Sequence, residues 1–246
     1  MKKSRWYRQL IPAGICAFLI FFSAGVVFWN QPPSWKYPVR GVDVSSYQGL
    51  IDWGVLASQG IDFAFIKATE GSSFTDPRFA DNIRDAQQTG LHIGAYHFFS
   101  YDSGGRTQAA NYIAAVERFD RMLPPVVDVE FYGDKEQHPP DKAAVRAELR
   151  EMLHLLEEHY GLRPILYSTG KAYRLYLADD FAGYDIWIRD ILTTPHLPDG
   201  RSWTFWQYTD RARLKGYHGK EDHIDVNVFH GSREEFEKYA VQPDIS

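Results

Sequence analysis

A short apolar run near the middle of the chain reads Pro125-Val126-Val127-Asp128-Val129-Glu130. Its valines favour a strand that is buried on both faces, as strands of parallel sheets are. Helical patterns lie on both sides of this run, at residues 106–119 and 138–161. In the second of them, apolar side chains recur every three or four positions. Strands that alternate with helices in this way predict an α/β fold with a parallel sheet.

The same alternation continues in both directions along the chain. The eight predicted strands are residues 39–44, 63–66, 91–99, 125–130, 164–167, 184–188, 204–208 and 224–229. A helix follows each of the first five strands, at residues 53–59, 76–88, 106–119, 138–161 and 173–177. Eight such strands close readily into a barrel, and the three units without helices predict a flattened, irregular (β/α)5β3 barrel. An open doubly wound sheet is the alternative, although no G-x-G-x-x-G or P-loop motif supports nucleotide binding.

Composition excludes several classes of protein. The chain has 246 residues, of which 44% are hydrophobic, so it can form a full core and is too apolar for a disordered protein. A single cysteine cannot supply a multi-cysteine zinc site or an iron–sulfur cluster. Of the 27 basic residues, four precede residue 10, which leaves 23 bases against 32 acids in the rest of the chain. An acidic domain without a basic stripe argues against a nucleic-acid partner.

The N-terminus has the features of a membrane anchor. Residues 10–29 contain no charged side chain, and at about 1.5 Å per residue the run spans roughly 30 Å, the thickness of a bilayer core. Four basic residues precede the run, whereas only Lys36 and Arg40 closely follow it. The positive-inside rule therefore predicts a cytoplasmic N-terminus and a domain on the outer side of the membrane.

A cleaved signal peptide is the alternative for this segment. The apolar region of a signal peptide usually has about 7–15 residues, which is shorter than this run, and no clear A-x-A site precedes the domain. We therefore expect a basic cytoplasmic segment at 1–9, a transmembrane signal-anchor at 10–29, a linker at 30–38 and a globular domain at 39–246.

Two carboxylates interrupt the apolar run of the fourth strand. Asp128 and Glu130 are two positions apart, so both project from the same face of the strand, roughly 6–7 Å apart. Two such charges in a partly dry place do not both stay ionised, and the drier one holds its proton near neutral pH. A general acid needs that property, and paired carboxylates are the equipment of most glycosidases. A buried structural pair and a metal site remain as alternatives.

Other polar and aromatic residues are predicted at the same mouth of the barrel. Asp43 ends the first strand and Asp225 lies in the eighth, while Trp206 and Gln207 close the seventh. Sugar rings offer C–H faces to aromatic rings and hydroxyl groups to polar side chains. Tyr96 closes the third strand together with His97, which fits a buried structural histidine at least as well as a catalytic one. We assign Phe98, Phe99 and Trp203 to the core.

Taken together, these segments resemble a known family. The motifs are Gly41-Val42-Asp43-Val44-Ser45-Ser46-Tyr47-Gln48, Phe65-Ile66-Lys67-Ala68-Thr69-Glu70-Gly71, Gly94-Ala95-Tyr96-His97-Phe98, Asp128-Val129-Glu130, Trp206-Gln207-Tyr208 and Ile224-Asp225-Val226-Asn227. In this order they resemble glycoside hydrolase family 25, the muramidases also called Chalaropsis-type lysozymes. The family fold is a flattened (β/α)5β3 barrel, so the resemblance agrees with the strand count.

The resemblance implies a function and roles for individual residues. It implies cleavage of the β-1,4 bond between N-acetylmuramic acid and N-acetylglucosamine in peptidoglycan, by a catalytic domain at 39–246. Glu130 matches the general acid, and Asp128 matches the partner that steers the substrate's acetamido group or, in another reading, acts as base or nucleophile. Asp43 and Asp225 match flanking acids that bind substrate and tune the pair. Substrate-binding roles are further expected for Tyr96, Tyr167, Trp206 and Gln207.

We accordingly expect a monomeric muramidase that binds peptidoglycan glycan strands, needs no cofactor or metal ion and is held outside the membrane by its N-terminal segment. Two other functions stay open. The first is a catalytically weak or inactive wall-binding module on the same fold. The second is a metal-dependent hydrolase that uses the clustered carboxylates as oxygen ligands.

Overall fold

The computed structural model describes residues 31–240, which form an eight-stranded barrel with helices on its outside. The barrel strands are β1 (Arg40–Val44), β3 (Phe63–Glu70), β5 (His92–Phe98), β6 (Val126–Val129), β7 (Ile165–Thr169), β8 (Asp185–Arg189), β9 (Phe205–Ala212) and β11 (Ile224–Phe229). Three short strands lie at the edges: β2 (Leu50–Ile51), β4 (Phe74–Thr75) and β10 (Tyr217–His218). Pairing of β1 with β3 closes the barrel.

A helix follows each of the first five barrel strands, and a last helix ends the described chain. The helices are α1 (Trp53–Ala57), α2 (Phe79–Ala86), α3 (Gly105–Ala115), α4 (Lys142–Tyr160), α5 (Gly170–Ala172) and α6 (Arg233–Ala240). A π-helical turn, Tyr173–Leu177, continues α5. Capping sets where α4 starts and stops, because the Asp141 side chain accepts from the Ala144 N–H and Gly161 closes the helix in the left-handed conformation.

The five βα units and three further strands confirm the predicted (β/α)5β3 barrel. One feature differs from an all-parallel sheet, because β11 runs antiparallel to both β1 and β9. Without a crossover helix between β9 and β11, the chain returns as a hairpin, and a hairpin joins antiparallel strands. The reversal brings the beginning of β11, rather than its end, to the mouth where the other barrel strands finish.

The lower part of the barrel interior is filled with aromatic rings. We call this group the aromatic floor: Phe63, Phe65, Trp187, Phe205, Phe229 and Phe236. Phe63 is at its centre, with ring centroids 5.1 Å from Phe205 and 5.5 Å from Phe236. Gly41 leaves room for this ring, since a Cβ at that position would collide with it. Helix α6, which the strand count did not predict, closes the bottom of the barrel by inserting Phe236.

The predicted membrane segment at 10–29, the basic segment at 1–9 and the first residue of the linker lie outside the described residues. Within residues 31–240, no helix is both long and apolar enough to cross a bilayer.

Candidate active site

A cleft of about 260 Å³ opens at the mouth of the barrel, where the parallel strands end. Seven of the eight predicted site residues line it: Asp43, Tyr96, Asp128, Glu130, Tyr167, Gln207 and Asp225. They meet because side chains along a strand alternate, so each of these residues lies on the inner face, above the aromatic floor. The structure therefore brings together residues that are as far apart in sequence as Asp43 and Asp225.

Asp43 and Asp225 face each other directly across the β1–β11 pair. Two side-chain amides hold the Asp43 carboxylate: Gln207 Nε2 lies 3.0 Å from both of its oxygens, and Asn227 Nδ2 lies 2.7 Å from Oδ1. Gln207 Nε2 also lies 3.0 Å from Asp225 Oδ2, so one amide group joins the two acids.

Two aromatic donors fix which way those amides point. The Tyr167 hydroxyl donates to Gln207 Oε1 at 2.9 Å, and the Trp187 indole N–H donates to Asn227 Oδ1 at 2.8 Å. An amide whose oxygen already accepts a hydrogen bond must present its NH₂ group on the other side. Both NH₂ groups therefore face Asp43, and sequence reasoning did not single out Asn227 or Trp187 for this task.

The Asp43–Asp225 pair shares a proton. Burial raises the pKa of Asp43, while hydrogen bonds from Asn227 and Gln207 oppose that rise. Burial, followed by the nearby Asp43 charge, raises the pKa of Asp225 to about 9. Asp43 accepts more of the N–H hydrogen bonds, and these stabilise its ionised form. Asp225 therefore carries the proton at neutral pH.

Asp128 and Glu130 lie on the opposite side of the cleft, at the end of β6. Burial raises the pKa of Asp128 well above its usual value, and the Glu130 charge raises it further. Asp128 is only 6% exposed, and its Oδ1 has no hydrogen-bond partner among residues 31–240. Burial also raises the pKa of Glu130, against the pull of Arg189. Both carboxyls are therefore easy to protonate, and in the free protein burial favours the proton on Asp128.

Two cations flank this pair, and the sequence did not reveal either of them. Lys67 lies inside the barrel because β3 continues to Glu70, beyond its predicted end at residue 66. Its ammonium group is 2.7 Å from Glu70 Oε2 and 5.0 Å from the centre of the Phe98 ring. Arg189 ends β8 on the far side of Glu130 and donates to Asp210 Oδ2 at 2.6 Å. Both cations lower the pKa of Glu130 through their charge.

Trp206 is the one predicted site residue that the structure does not bring to the cleft. It is the outward-facing neighbour of Gln207, is 1% exposed, and packs against Tyr37 and Trp203 outside the barrel wall. Its indole N–H donates to the backbone oxygen of Asp190 at 2.8 Å. Adjacent residues on a strand point to opposite faces, so Trp206 and Gln207 cannot both reach the cleft.

His97 and Phe98, neighbours in β5, point to opposite faces of the barrel wall. The His97 side chain points outward from the barrel wall and is fully buried beneath helix α3. Its ring nitrogens are 2.7 Å from Thr69 Oγ1 and 3.1 Å from Gln108 Oε1. Burial lowers its pKa to about 4, so a neutral His97 joins β5 to α3 and is structural. Phe98, which was assigned to the core, instead lines the cleft beside Lys67.

The acids of the cleft do not form an evident metal centre. Within the described part of the chain, no three His, Cys, Asp or Glu side chains are grouped so that they could hold one metal ion. The donors around Asp43 are N–H groups, which stabilise an anion and cannot coordinate a cation.

The two buried carboxyls of raised pKa at the mouth of the barrel are the equipment that most glycoside hydrolases use. The chain belongs to family 25 of the glycosyl hydrolases, whose sequence profile matches residues 42–217.

Individual relatives agree with this classification. A solved structure of a family 25 glycosyl hydrolase from Bacillus anthracis has a TM-score of 0.80 at 54% identity, and the match covers 83% of this chain and 94% of that one. The protein YegX of Escherichia coli (strain K12) is 34% identical over 210 residues, which are 83% of this chain and 74% of the relative. Lysozyme M1 of Streptomyces globisporus is 32% identical over 211 residues, or 79% and 68% of the two chains.

Proposed function

We propose that this protein is a peptidoglycan muramidase, which hydrolyses the β-1,4 bond between N-acetylmuramic acid and N-acetylglucosamine. The observation that carries the proposal is the pair of buried carboxyls, Asp128 and Glu130, at the mouth of a family 25 barrel. The name of the relative from Streptomyces globisporus, a lysozyme, supports the same substrate class.

Glu130 is the general acid of this proposal. It is less buried than Asp128. It lines both the cleft described above and a second lobe beside it, which Arg189 and Asp210 also line, and is therefore open to a leaving-group oxygen on either side. A carboxyl of raised pKa keeps its proton until the glycosidic oxygen develops charge and takes it. Glu130 then becomes the base that removes a proton from the incoming water.

Asp128 steers the substrate's 2-acetamido group. Asp128 Oδ1 has no hydrogen-bond partner among residues 31–240, and burial favours the protonated form of this carboxyl. An acetamido N–H at the cleft supplies such a donor and stabilises the Asp128 anion. The proton that the pair shares then resides on Glu130, so binding of an amide-bearing sugar prepares the acid for its task.

Substrate assistance predicts the stereochemical outcome. The acetamido oxygen attacks the anomeric carbon from within the substrate while Glu130 protonates the leaving oxygen, and water then opens the resulting ring. The two displacements give net retention, so NMR of the first-formed product should show the β-anomer. Initial release of the α-anomer would mean inversion, with Asp128 acting as the base for water.

Activity on purified wall separates this proposal from its two alternatives. A muramidase releases soluble fragments from peptidoglycan both with and without a chelator. A wall-binding module sediments with the wall and releases nothing, and a metal-dependent hydrolase stops when the chelator is added. The amide donors on Asp43 favour the first of these outcomes.

We also propose that the protein is a monomer, anchored in the membrane by residues 10–29 with its catalytic domain on the outer side. The uncharged run and the basic residues that precede it support the anchor and its direction. A closed barrel has few open strand edges at which a second copy could pair, which supports the monomer. Reporter fusions after residue 29 test the topology, and a trimmed soluble protein or a cytoplasmic reporter would contradict it.

A further inference from the structure

Arg189 lies beside the acids of the cleft, close to Glu130. It ends β8 opposite Gln207 in the β8–β9 register and lines a second lobe of the cleft. This lobe shares Glu130, Tyr167 and Asp225 with the first lobe, so the two form one continuous groove. The acid of the proposed mechanism is therefore at the junction of the two lobes.

Asp210 orients the Arg189 guanidinium. Its Oδ2 accepts from Arg189 Nη2 at 2.6 Å, which fixes one edge of the planar group. An arginine held on one edge by a carboxylate can present its other N–H groups, already aligned, to a second carboxylate. The side chain is 33% exposed, so a ligand in the lobe can reach it.

The other cation of the cleft is less suited to bind a ligand. The Lys67 side chain is 14% exposed, its ammonium is 2.7 Å from Glu70 Oε2, and it lies over the rings of Phe74 and Phe98. An ammonium group that is already paired with a carboxylate and covered by two rings has little room to bind a further anion. Arg189 is accordingly the better anion receptor of the two.

We propose that Arg189 is a specificity-determining residue that binds the free lactyl carboxylate of N-acetylmuramic acid in glycan strands that carry no stem peptide. The inference rests on the proposed muramidase function and goes beyond it by assigning the recognition of the lactyl carboxylate. Acids line much of the groove, among them Asp43, Glu130 and Glu221, and these repel an anionic sugar. The second lobe also contains Arg211 and Lys220, but both are exposed to solvent, which screens their charge. A cation held by Asp210 reverses that repulsion at one point, which selects muramic acid with a free carboxylate over muramic acid whose carboxyl is in an amide bond, as it is where a stem peptide is attached.

Two substrates that differ only in this charge provide the test. The first is peptide-free glycan strands with free lactyl carboxylates, and the second is the same strands with those carboxylates converted to neutral amides. The kcat/KM of the full-length chain is measured on both, and the ratio of the two values is the readout. A ratio is independent of the folded fraction, so a destabilised variant still gives an answer.

We expect the wild-type chain to favour the carboxylated strands by about tenfold or more, since hydrogen bonds to charged groups are worth that much. Arg189→Gln should lower kcat/KM on the carboxylated strands and bring the ratio close to one. Arg189→Lys should keep part of the preference, because lysine retains the positive charge but lacks the two parallel N–H groups with which arginine binds a carboxylate. Arg150→Gln is the matched control: Arg150 donates to Asp180 Oδ1 at 2.6 Å from helix α4, lines neither lobe of the cleft, and should leave the ratio unchanged when removed.

Three results would overturn the inference. A wild-type ratio near one would show that the carboxylate is not recognised. A wild-type ratio that Arg189→Gln preserves would place recognition elsewhere. If Arg189→Gln lowered kcat/KM equally on both substrates and shifted the pH dependence of activity, Arg189 would act only by changing the protonation of Glu130. If the wild-type chain cleaves neither substrate, the proposed function fails and the inference fails with it.

Discussion

The same strands build two very different halves of the barrel interior. In several strands the inward position that follows the aromatic floor, two residues farther along, is polar: Phe205 is followed by Gln207 in β9, and Trp187 by Arg189 in β8. In β6 the change is from Val126 to Asp128. The lower half contains aromatic rings, most of which pack edge to face, and the upper half contains acids, amides and cations.

The contrast explains how the cleft obtains its chemistry. An aromatic floor excludes water from below, and this burial raises the pKa of Asp128, Glu130 and Asp225. The floor therefore acts on the acids by keeping water away, and its Trp187, which also lines the cleft, holds Asn227 through the indole N–H. If this division is right, changes in the floor alter stability, and changes in the polar half alter chemistry.

The largest effect is expected from Phe63→Ala, at the centre of the floor. Phe63 is fully buried among Phe65, Phe205 and Phe236, so its truncation leaves a cavity and costs about 3–5 kcal/mol of unfolding free energy. Urea unfolding measures the loss. Turnover per folded molecule should stay near wild type, and a comparable loss of turnover would break the division between the two halves.

The next largest effect should come from Glu130→Gln, which keeps the shape of the side chain but cannot deliver a proton. Turnover on peptidoglycan should fall by a factor of about 10² or more, with little change in unfolding free energy. Glu136→Gln, a nearby exposed position outside the cleft, is the control and should remain active. Digestion of wall by Glu130→Gln at close to the wild-type rate would remove Glu130 from its assigned role.

Asp225→Asn should change how stability depends on pH. The pKa of Asp225 is about 9 in the folded state against 3.8 for an ordinary aspartate, so between these values the folded state holds the extra proton. Raising the pH through this window therefore destabilises the wild-type protein. Asparagine mimics the protonated acid, so the variant should gain stability relative to wild type from pH 4 to pH 9.

Unfolding free energies at several pH values within that window provide the measurement. Asp134→Asn is the control, because it removes one exposed carboxyl outside the buried pair. A difference between Asp225→Asn and wild type that does not vary with pH would contradict the shared proton.

The smallest effect is expected from Tyr167→Phe. The lost hydroxyl leaves Gln207 Oε1 without its donor and frees the amide to turn away from Asp43. The cost should be about 1 kcal/mol in unfolding free energy, with a several-fold loss of turnover. Thermal unfolding and wall digestion measure the two quantities, and an unchanged turnover would mean that the orientation of Gln207 is unimportant.

Sequence periodicity predicted the parts of the molecule that depend on local rules. Period-two alternation correctly placed Asp43, Asp128 and Glu130 at one mouth, and apolar runs located all eight barrel strands. Helix α6 was not predicted because five of its eight residues are charged, so the apolar Phe236 stands among polar neighbours in the sequence. The antiparallel direction of β11 was not predicted, because the direction of a strand depends on the connection that precedes it and not on the residues of the strand.

Side-chain direction accounts for the remaining differences. Trp206 and Gln207 are neighbours in one motif, yet only one of them can face the cleft, and tertiary packing against Tyr37 settles which. Lys67 was missed because a lysine in an apolar run resembles the end of a strand. Arg189 was missed because its importance depends on Glu130 and Asp210, which are distant in sequence.

Mass analysis of fragments released from borohydride-reduced digests of peptidoglycan tests the central claim most directly. The account predicts that the wild-type chain releases muropeptides whose new reducing ends are N-acetylmuramic acid, detected as the corresponding sugar alcohol, and that Glu130→Gln releases almost none. Reducing ends of N-acetylglucosamine, products cut within the peptide, or no wild-type products at all would contradict it.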